Sequence, residues 1–413
     1  MVHFDKFILE NGLKVIVNQD KTTPIVTINL LYNVGAKHED PHRTGFAHLF
    51  EHLMFEGSKH IPVYDTPLQM VGGDNNAFTN NDITNYYLTL PKENMETGFW
   101  LESDRMLELA LTKEKIEIQK NVVIEEFNQR YLNQPYGDAF LILRPMAYQK
   151  HPYRWSTIGK DPSHIQKAGF EEIRDFFYKH YAPNNAIITV AGNVTTDEIK
   201  ELTEKWFGEI PHRKLAHKNI PEEPRQDQPR KKEVFRDVPQ DTIYKAYHMC
   251  DRNHEDFYAT DLISDLLANG NSSRLHQKLV KEKNIFNTID AYITGDIDEG
   301  LLMVSGNIAG NINMRNAEEE LQNELNKLKT HLPAKKELEK VKNKVESVKI
   351  YTRTSSLHKA INLSFYELIE DAQKINTEIE EYRNVTAEKI KEVSQQVLDE
   401  NNCSTLYYHS KNK

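Results

Sequence analysis

A weak internal repeat restricts the fold of this chain more than any other feature of its sequence. Residues 173–189 combine a helical apolar pattern, an Asn-Asn pair and a run of β-branched residues typical of a buried strand. The same order returns in residues 390–406, where Asn401-Asn402 lies 217 positions after Asn184-Asn185 in the 413-residue chain. The sequence therefore predicts an internal duplication with two α/β domains of similar size.

A charged segment with three prolines separates the two repeated halves. Residues 216–232 place these prolines among acidic and basic residues and show no apolar period. Such a composition is typical of an exposed interdomain linker. We therefore expect a first domain at residues 1–215, a linker at residues 216–232 and a homologous second domain at residues 233–413.

The first half contains a His-x-x-Glu-His motif within an apolar segment that is predicted to be helical. Because a helix advances about 100° per residue, His48, Glu51 and His52 share an arc of about 100° on one side. Two imidazoles at this spacing can bind one zinc ion, and an adjacent carboxylate can take a proton from the attacking water. The residue order is the inverse of the commoner His-Glu-x-x-His zinc motif.

Two histidines and a glutamate on a helix could also form a solvent-facing surface without a metal. The apolar neighbours Leu49 and Leu53 instead predict a buried helix, in which polar side chains without partners would be costly. The corresponding helix of the second half, predicted at residues 260–269, carries no such motif. We therefore expect the metal chemistry in the first half alone.

A second acidic element lies in the helix predicted at residues 112–131. Glu125 and Glu126 come directly after three apolar residues, so one of them is well placed to be a third zinc ligand. An acidic pair on a helix is more often a solvated face, and the pattern alone does not decide between these alternatives.

A hairpin between these two elements offers a place for an extended peptide. Two short strands are predicted at residues 76–79 and 84–90, joined by an Asn-Asn-Asp turn. The first strand is short and polar, which suits a sheet edge whose unpaired backbone groups can bind a peptide strand. An ordinary solvent-facing hairpin would have the same pattern.

The composition of the chain excludes several classes of function. A net charge of −10 without a large basic patch argues against nucleic acid as the main partner. No apolar run approaches the length of about 18 residues that a membrane-spanning helix requires. Two widely separated cysteines argue against a disulfide framework and a cysteine-bound metal. The first residues lack a signal-peptide pattern, so we expect a cytoplasmic bacterial protein, or a periplasmic one if a signal segment has been removed.

Three segments, taken in order, resemble the pitrilysin/insulinase family of zinc peptidases, which carry the inverted motif. They are the His48–His52 helix, residues 72–87 and residues 122–126. The likeness is strongest to the short two-domain branch that includes mitochondrial processing peptidase and its bacterial relatives. The resemblance implies an α+β fold with two duplicated domains. Each would have a mainly antiparallel sheet with helices packed on one side, and together they would form half of a clam shell.

The resemblance assigns a role to each residue of the predicted metal site. His48 and His52 match the zinc ligands, and Glu51 matches the general base. The third ligand of the family corresponds to Glu126, with Glu125 as the alternative candidate. Zinc is therefore the expected cofactor. Substrate backbone is expected to bind along three strand residues, Asn76, Ala77 and Phe78.

Two features depart from the family pattern. Family members often carry a glutamate seven residues before the third ligand, on the same helix face, and this chain has Gln119 there. Active single-chain members also carry an Arg and a Tyr in the second half that stabilise the oxyanion. In this chain Lys281 and Thr288 occupy the matching positions. Losing one oxyanion donor typically costs about a hundredfold or more in rate.

The sequence thus predicts a zinc metalloendopeptidase subunit that hydrolyses peptides or unstructured polypeptide segments in a closed chamber. The missing Arg/Tyr pair predicts a heterodimer in which a homologous partner without the zinc motif supplies that pair, or otherwise a homodimer. A noncatalytic scaffold or peptide-binding subunit is the alternative function. The complete set of four metal-site residues argues against that alternative.

Overall fold

The computed structural model describes residues 1–215 and 219–411, which form two compact units. The first unit consists of the segments Met1–Phe127, Trp155–Ile220 and Ile350–Thr377. The second unit consists of the segments Asn128–Arg154, Pro221–Lys349 and Glu378–Lys413. Each unit thus includes one segment from the other half of the sequence, whereas the predicted domains are contiguous stretches of chain.

The described residues form eleven strands and fourteen α-helices. The strands are β1 (Asp5–Ile8), β2 (Lys14–Gln19), β3 (Ile25–Tyr32), β4 (Asp74–Thr79), β5 (Thr84–Pro91), β6 (Ala186–Gly192), β7 (Arg230–Arg236), β8 (Thr242–His248), β9 (Phe286–Ile293), β10 (Leu301–Ile308) and β11 (Cys403–Ser410). The helices are α1 (Phe46–Leu53), α2 (Asp65–Met70), α3 (Met95–Leu107), α4 (Lys113–Phe127), α5 (Ala139–Ala147), α6 (Ser163–Gln166), α7 (Phe170–His180), α8 (Thr196–Phe207), α9 (Phe257–Ala268), α10 (Met314–Thr330), α11 (Lys335–Thr352), α12 (Ser356–Ile369), α13 (Lys374–Asn384) and α14 (Ala387–Val397). None of these helices has both the length and the apolar character needed to cross a membrane.

The sheet of the first unit is six-stranded, with the strand order β1-β2-β6-β3-β5-β4. Strands β2 and β6 pair in parallel, and the other four neighbouring pairs are antiparallel. The strand β4 forms one edge of this sheet, as the polar sequence of residues 76–79 predicted. It begins two residues earlier than expected, at Asp74.

Helices cover both faces of this sheet. On one face, α3 packs so closely that a Cβ atom at Gly98 would lie 2.7 Å from Ile28 Cδ1. On the other face, α12 lies against small polar side chains. Asn29 Nδ2 donates to Ser364 Oγ at 3.0 Å and to Asn85 Oδ1 at 3.0 Å. The resemblance implied helices on one side only, and α12 is a covering helix from the second half of the sequence.

The second unit has a five-stranded sheet with the order β7-β11-β8-β10-β9. Strands β7 and β11 are parallel, and the other neighbours are antiparallel. On one face, α9, α10 and α14 enclose a core that includes Leu302 and Val304. On the opposite face, Leu143 of α5, from the first half of the sequence, packs with Leu301 and Met303. The predicted α+β class with two mainly antiparallel sheets is confirmed.

The repeat predicted from the sequence is present in both units. The helices α7 and α14 begin 217 positions apart, as do the strands β6 and β11. The second asparagine of each Asn-Asn pair is a structural link. Asn185 Nδ2 and Asn402 Nδ2 donate to the last carbonyl oxygen of the preceding helix, at 2.7 and 3.0 Å. The pair therefore fixes the turn between helix and strand in each copy.

The strand β7 begins inside the predicted linker. Its first residue, Arg230, comes three residues before the predicted start of the second domain. The sequence did not indicate this strand because residues Arg230–Arg236 are mostly charged and exposed, while their main chain pairs with β11 at the sheet edge. Residues 216–218 of the predicted linker lie outside the described residues.

Candidate metal centre

The helix α1 directs its apolar residues into the core and its motif residues to one side. The residue before its first turn is Gly45, whose positive φ of 93° favours glycine. Four apolar side chains of α1 are fully buried: Ala47, Leu49, Phe50 and Leu53. His48 is buried, whereas Glu51 and His52 are partly exposed. The helix is thus held by its apolar face while the motif remains accessible.

Glu126 of α4 approaches both histidine rings of α1. Its Oε2 atom lies 3.7 Å from His48 Nε2 and 3.5 Å from His52 Nε2. One ligand atom from each of the three residues lies within 4.8 Å of the other two. Tetrahedral zinc bonds of about 2.0–2.1 Å place neighbouring ligand atoms about 3.3 Å apart, so these side chains fit a zinc ion. Within residues 1–215 and 219–411, no other group of His, Cys, Asp and Glu side chains has this spacing.

The neighbouring acid, Glu125, lies on a different side of α4. Adjacent residues of a helix point about 100° apart. Glu125 is exposed, whereas Glu126 is partly buried beside the rings. The helix therefore brings Glu126, and not the alternative candidate Glu125, to the two histidines.

Glu51 lies near both the metal-site residues and the edge strand β4. Burial raises the pKa of its carboxyl group, and the negative charge of Glu126 acts in the same direction. Thr79 of β4 and the ring of His52 oppose this shift. A partly buried acid with a raised pKa beside a metal site is typical of a general base.

The edge strand β4 has a main-chain donor that is directed away from its neighbour β5. Ala77 lies opposite Tyr86 in the ladder, and its N–H donates to Asn76 Oδ1 at 2.8 Å. Along an antiparallel pair, residues that exchange main-chain bonds alternate with residues whose N–H groups point outward. The bond to Asn76 places Ala77 in the second class. An extended peptide could therefore pair with β4 at Ala77, between the exposed Asn76 and the partly buried Phe78.

Gln119 occupies the position at which family members often carry a glutamate, and its side chain contacts the carboxylate of Glu56. Its Nε2 atom donates to Glu56 Oε1 at 2.6 Å. Lys115 Nζ donates to the main-chain oxygen of Glu56 at 2.5 Å. We did not predict a role for Glu56 from the sequence, although its position four residues after His52 was a usable signal. A carboxylate is thus present next to Gln119 despite the substitution.

Tyr86 of β5 connects the motif helix to a buried ion pair. Its hydroxyl group donates to the main-chain oxygen of Phe50 in α1 at 3.1 Å. The guanidinium of Arg105 lies 4.4 Å from the centroid of the Tyr86 ring and is paired with Glu102 at 2.6 Å. Strand alternation could have placed Tyr86 on the α1 side of the sheet. Its bond to α1 depends on packing that the sequence pattern does not specify.

Two family models match most of the chain. The model described as insulinase (peptidase family M16) matches residues 14–160, and the model described as peptidase M16 inactive domain matches residues 167–345. The three residues that fit a zinc ion lie within the first match.

Curated relatives are similar over long stretches of the chain. The zinc protease PqqE of Helicobacter pylori is 28% identical over 407 residues, which cover 97% of this chain and 91% of that protein. The uncharacterized zinc protease YmxG of Bacillus subtilis is 25% identical over 411 residues and 98% of both chains. The mitochondrial-processing peptidase subunit beta of Caenorhabditis elegans is 26% identical over 216 residues, or 52% of this chain and 46% of that protein.

Solved structures have the same fold. A protease from Helicobacter pylori gives a TM-score of 0.92 at 28% identity, over 99% of this chain and 100% of that chain. A putative M16-like peptidase from Alicyclobacillus acidocaldarius gives 0.86 at 20% identity, over 99% of both chains. The periplasmic protease PqqL from Escherichia coli gives 0.80 at 19% identity, over 98% of this chain and 47% of that chain. The last two likenesses concern the fold alone.

Proposed function

Because this chain belongs to peptidase family M16, in which similar proteins are named zinc proteases, we propose that it is a zinc metalloendopeptidase subunit. The observation that carries the proposal is the approach of His48, His52 and Glu126 to within 4.8 Å of one another. The carboxyl group of Glu51 lies beside them. The proposed substrates are peptides and unstructured polypeptide segments.

The four residues would have two different roles in peptide hydrolysis. His48, His52 and Glu126 would hold zinc, which when bound lowers the pKa of water and polarises a carbonyl group. Glu51 accepts a proton from the attacking water and returns it to the leaving amine. Burial raises the pKa of this carboxyl group, which makes it a stronger base than an exposed glutamate.

The edge strand β4 would align the substrate. A peptide added as a further strand presents its main chain to the open edge at Asn76, Ala77 and Phe78. Main-chain pairing of this kind requires an extended, unfolded segment. The same edge strand includes Thr79, which lies next to Glu51, so a peptide bound along β4 runs close to the proposed general base.

We further propose that a homologous subunit without the zinc motif completes the active site. Lys281 and Thr288 occupy the positions of the expected Arg and Tyr, and both are exposed in the second unit. Neither offers the same donors, because a lysine lacks the fork of a guanidinium and a threonine hydroxyl is much shorter than that of a tyrosine. A closed chamber formed with such a partner would admit unfolded segments, and a homodimer is the other arrangement.

Zinc content and peptide cleavage together test this function. The purified chain, treated with chelator and reloaded, is expected to bind one zinc ion by mass spectrometry. Cleavage of a quenched fluorescent peptide is expected to be slow for the chain alone. A homologous subunit that carries the Arg/Tyr pair should raise kcat/KM by about 10²–10³-fold.

Each part of the proposal has its own contrary result. A reloaded chain without zinc would refute the metallopeptidase. Full activity of the lone chain would refute the need for a partner. Zinc binding without cleavage, with or without the partner, would favour the noncatalytic peptide-binding subunit.

Ala77→Pro is expected to weaken substrate binding more than it disturbs the fold. Proline removes the outward N–H of residue 77, and an edge strand tolerates proline where that group faces away from the ladder. Loss of one main-chain hydrogen bond, worth about 0.5–1.5 kcal/mol, should raise KM by about 2–10-fold. Steady-state kinetics with Ala77→Val as the control measure this effect, since valine keeps the N–H. Equal KM values for the two variants would show that β4 does not bind substrate in this way.

A further inference from the structure

We propose that Glu39 is a positioning residue that fixes the start of the zinc-ligand helix α1, an inference that rests on the proposed zinc site. Glu39 is only 1% exposed. Its carboxylate accepts two main-chain hydrogen bonds at 2.8 Å, from Gly45 N to Oε2 and from Ala47 N to Oε1. The amide of Ala47 directly precedes His48, the first of the proposed ligands.

The helix α1 needs an external acceptor at this end. It is eight residues long, and Gly45, the residue before its first turn, has no side chain with which to cap it. The first amides of any helix lack partners within that helix, and short helices are costly to nucleate. A carboxylate at a helix N-terminus also interacts favourably with the helix dipole. Glu39 thus supplies the cap that the residues next to α1 cannot provide.

The segment that leads to Glu39 is held against the turn between β4 and β5. Lys37, two residues before Glu39, donates its main-chain N–H to Asn81 O at 2.8 Å. The Lys37 ammonium group pairs with Asp82 at 2.8 Å. The turn that contains Asn81 and Asp82 ends the edge strand β4. Residues 37–39 therefore connect the start of α1, through Glu39, to the end of the strand that we expect to bind substrate, through Lys37.

This connection bears on the metal geometry because α1 carries two of the three proposed ligands. The ring of His48 follows the capped amide of Ala47 by one residue, and His52 follows one turn later. Metal sites require ligand distances within about 0.2 Å of their preferred values. A small shift of the first turn of α1 would move His48 relative to Glu126 of α4. Glu39 would act on zinc through the position of α1, without touching the ion.

Zinc affinity of Glu39 variants tests the proposal. Glu39→Ala removes both acceptors and is expected to weaken zinc binding by about 10–100-fold in a chelator competition, as outer-shell substitutions typically do. Glu39→Gln keeps one acceptor oxygen and should fall between Glu39→Ala and wild type. Cobalt(II) substituted for zinc reports the ligand geometry. Its visible spectrum should therefore differ from that of the wild-type protein slightly in Glu39→Gln and more strongly in Glu39→Ala. Circular dichroism of the metal-free proteins identifies a temperature at which all variants are folded.

Glu198→Ala is the matched control. Glu198 accepts the Thr195 N–H at 2.8 Å at the start of α8, in the same unit, and α8 carries no proposed ligand. This variant should lower the melting temperature without changing zinc affinity or the cobalt spectrum. Wild-type zinc affinity and an unchanged spectrum in both Glu39 variants would overturn the positioning role while leaving the proposed function intact. Absence of zinc from the wild-type protein would overturn both.

Discussion

Glu51→Gln is expected to retain zinc and to lower kcat by about 10²–10⁴-fold in the complete enzyme. Glutamine has nearly the same shape as glutamate, so the helix α1 and the rings of His48 and His52 should keep their positions. The amide group cannot accept the proton of the attacking water, which removes the general base that we assign to Glu51. The ligand set itself does not include Glu51.

Two measurements separate this prediction from a general loss of structure. Zinc content and melting temperature should match those of the wild-type protein, while single-turnover cleavage of a quenched peptide slows. KM should change little, because the binding strand β4 is unaffected. A kcat within tenfold of the wild-type value would remove Glu51 from its assigned role, and Glu56, which follows α1 and contacts Gln119, would become the next carboxylate to test.

The sequence predicted those parts of the fold that depend on local patterns. The repeated helix, Asn-Asn pair and strand could be located because the asparagine side chain makes the same local bond in both copies. The edge strand β4 could be predicted because it is short and polar. The α+β class came from the family resemblance, and the two sheets agree with it.

The exchange of covering helices between the halves could not be predicted from the sequence. Ser364 of α12 bonds to Asn29 of β3, although 335 positions separate them. Leu143 of α5 likewise packs on the sheet of the second unit. An amphipathic pattern shows that a helix has a buried face, but it does not show which sheet receives that face. The strand β7 was missed for a related reason, since its pairing involves the main chain and its side chains are mostly charged.

The candidate site was predictable to the extent that one helix determines it. His48, Glu51 and His52 share an arc because of helical geometry alone. The cap on α1 could not be predicted from a local pattern. Glu39, whose carboxylate accepts the hydrogen bond, lies six residues before Gly45, and its position depends on the path of an irregular segment. To choose between Glu125 and Glu126, one must know how α4 is rotated about its own axis. Apolar residues lie on both sides of the pair in the sequence, so their pattern does not determine this rotation.

The assignment of Glu126 as a ligand predicts a large difference in zinc affinity between Glu126→Gln and Glu125→Gln. Structural zinc sites bind with about 10–16 kcal/mol, so one of the three proposed protein ligands contributes about 3–5 kcal/mol, or a factor of about 10²–10⁴ in affinity. Replacing the Glu126 carboxylate by a neutral amide should therefore weaken zinc binding by about 10²-fold or more, and peptide cleavage at limiting zinc should fall in proportion.

Glu125→Gln removes the same charge from the same helix, one residue away, at an exposed side chain. It should leave zinc affinity within about twofold of the wild-type value, because an exposed charge at this distance is largely screened by water and salt. Chelator competition on the two variants thus separates ligation from the general electrostatic field of α4. Equal losses in both variants would mean that the field, and not the contact of Glu126 with the two rings, governs metal binding. A loss in Glu125→Gln alone would reassign the third ligand and require α4 to rotate by about 100° from its position in this structure.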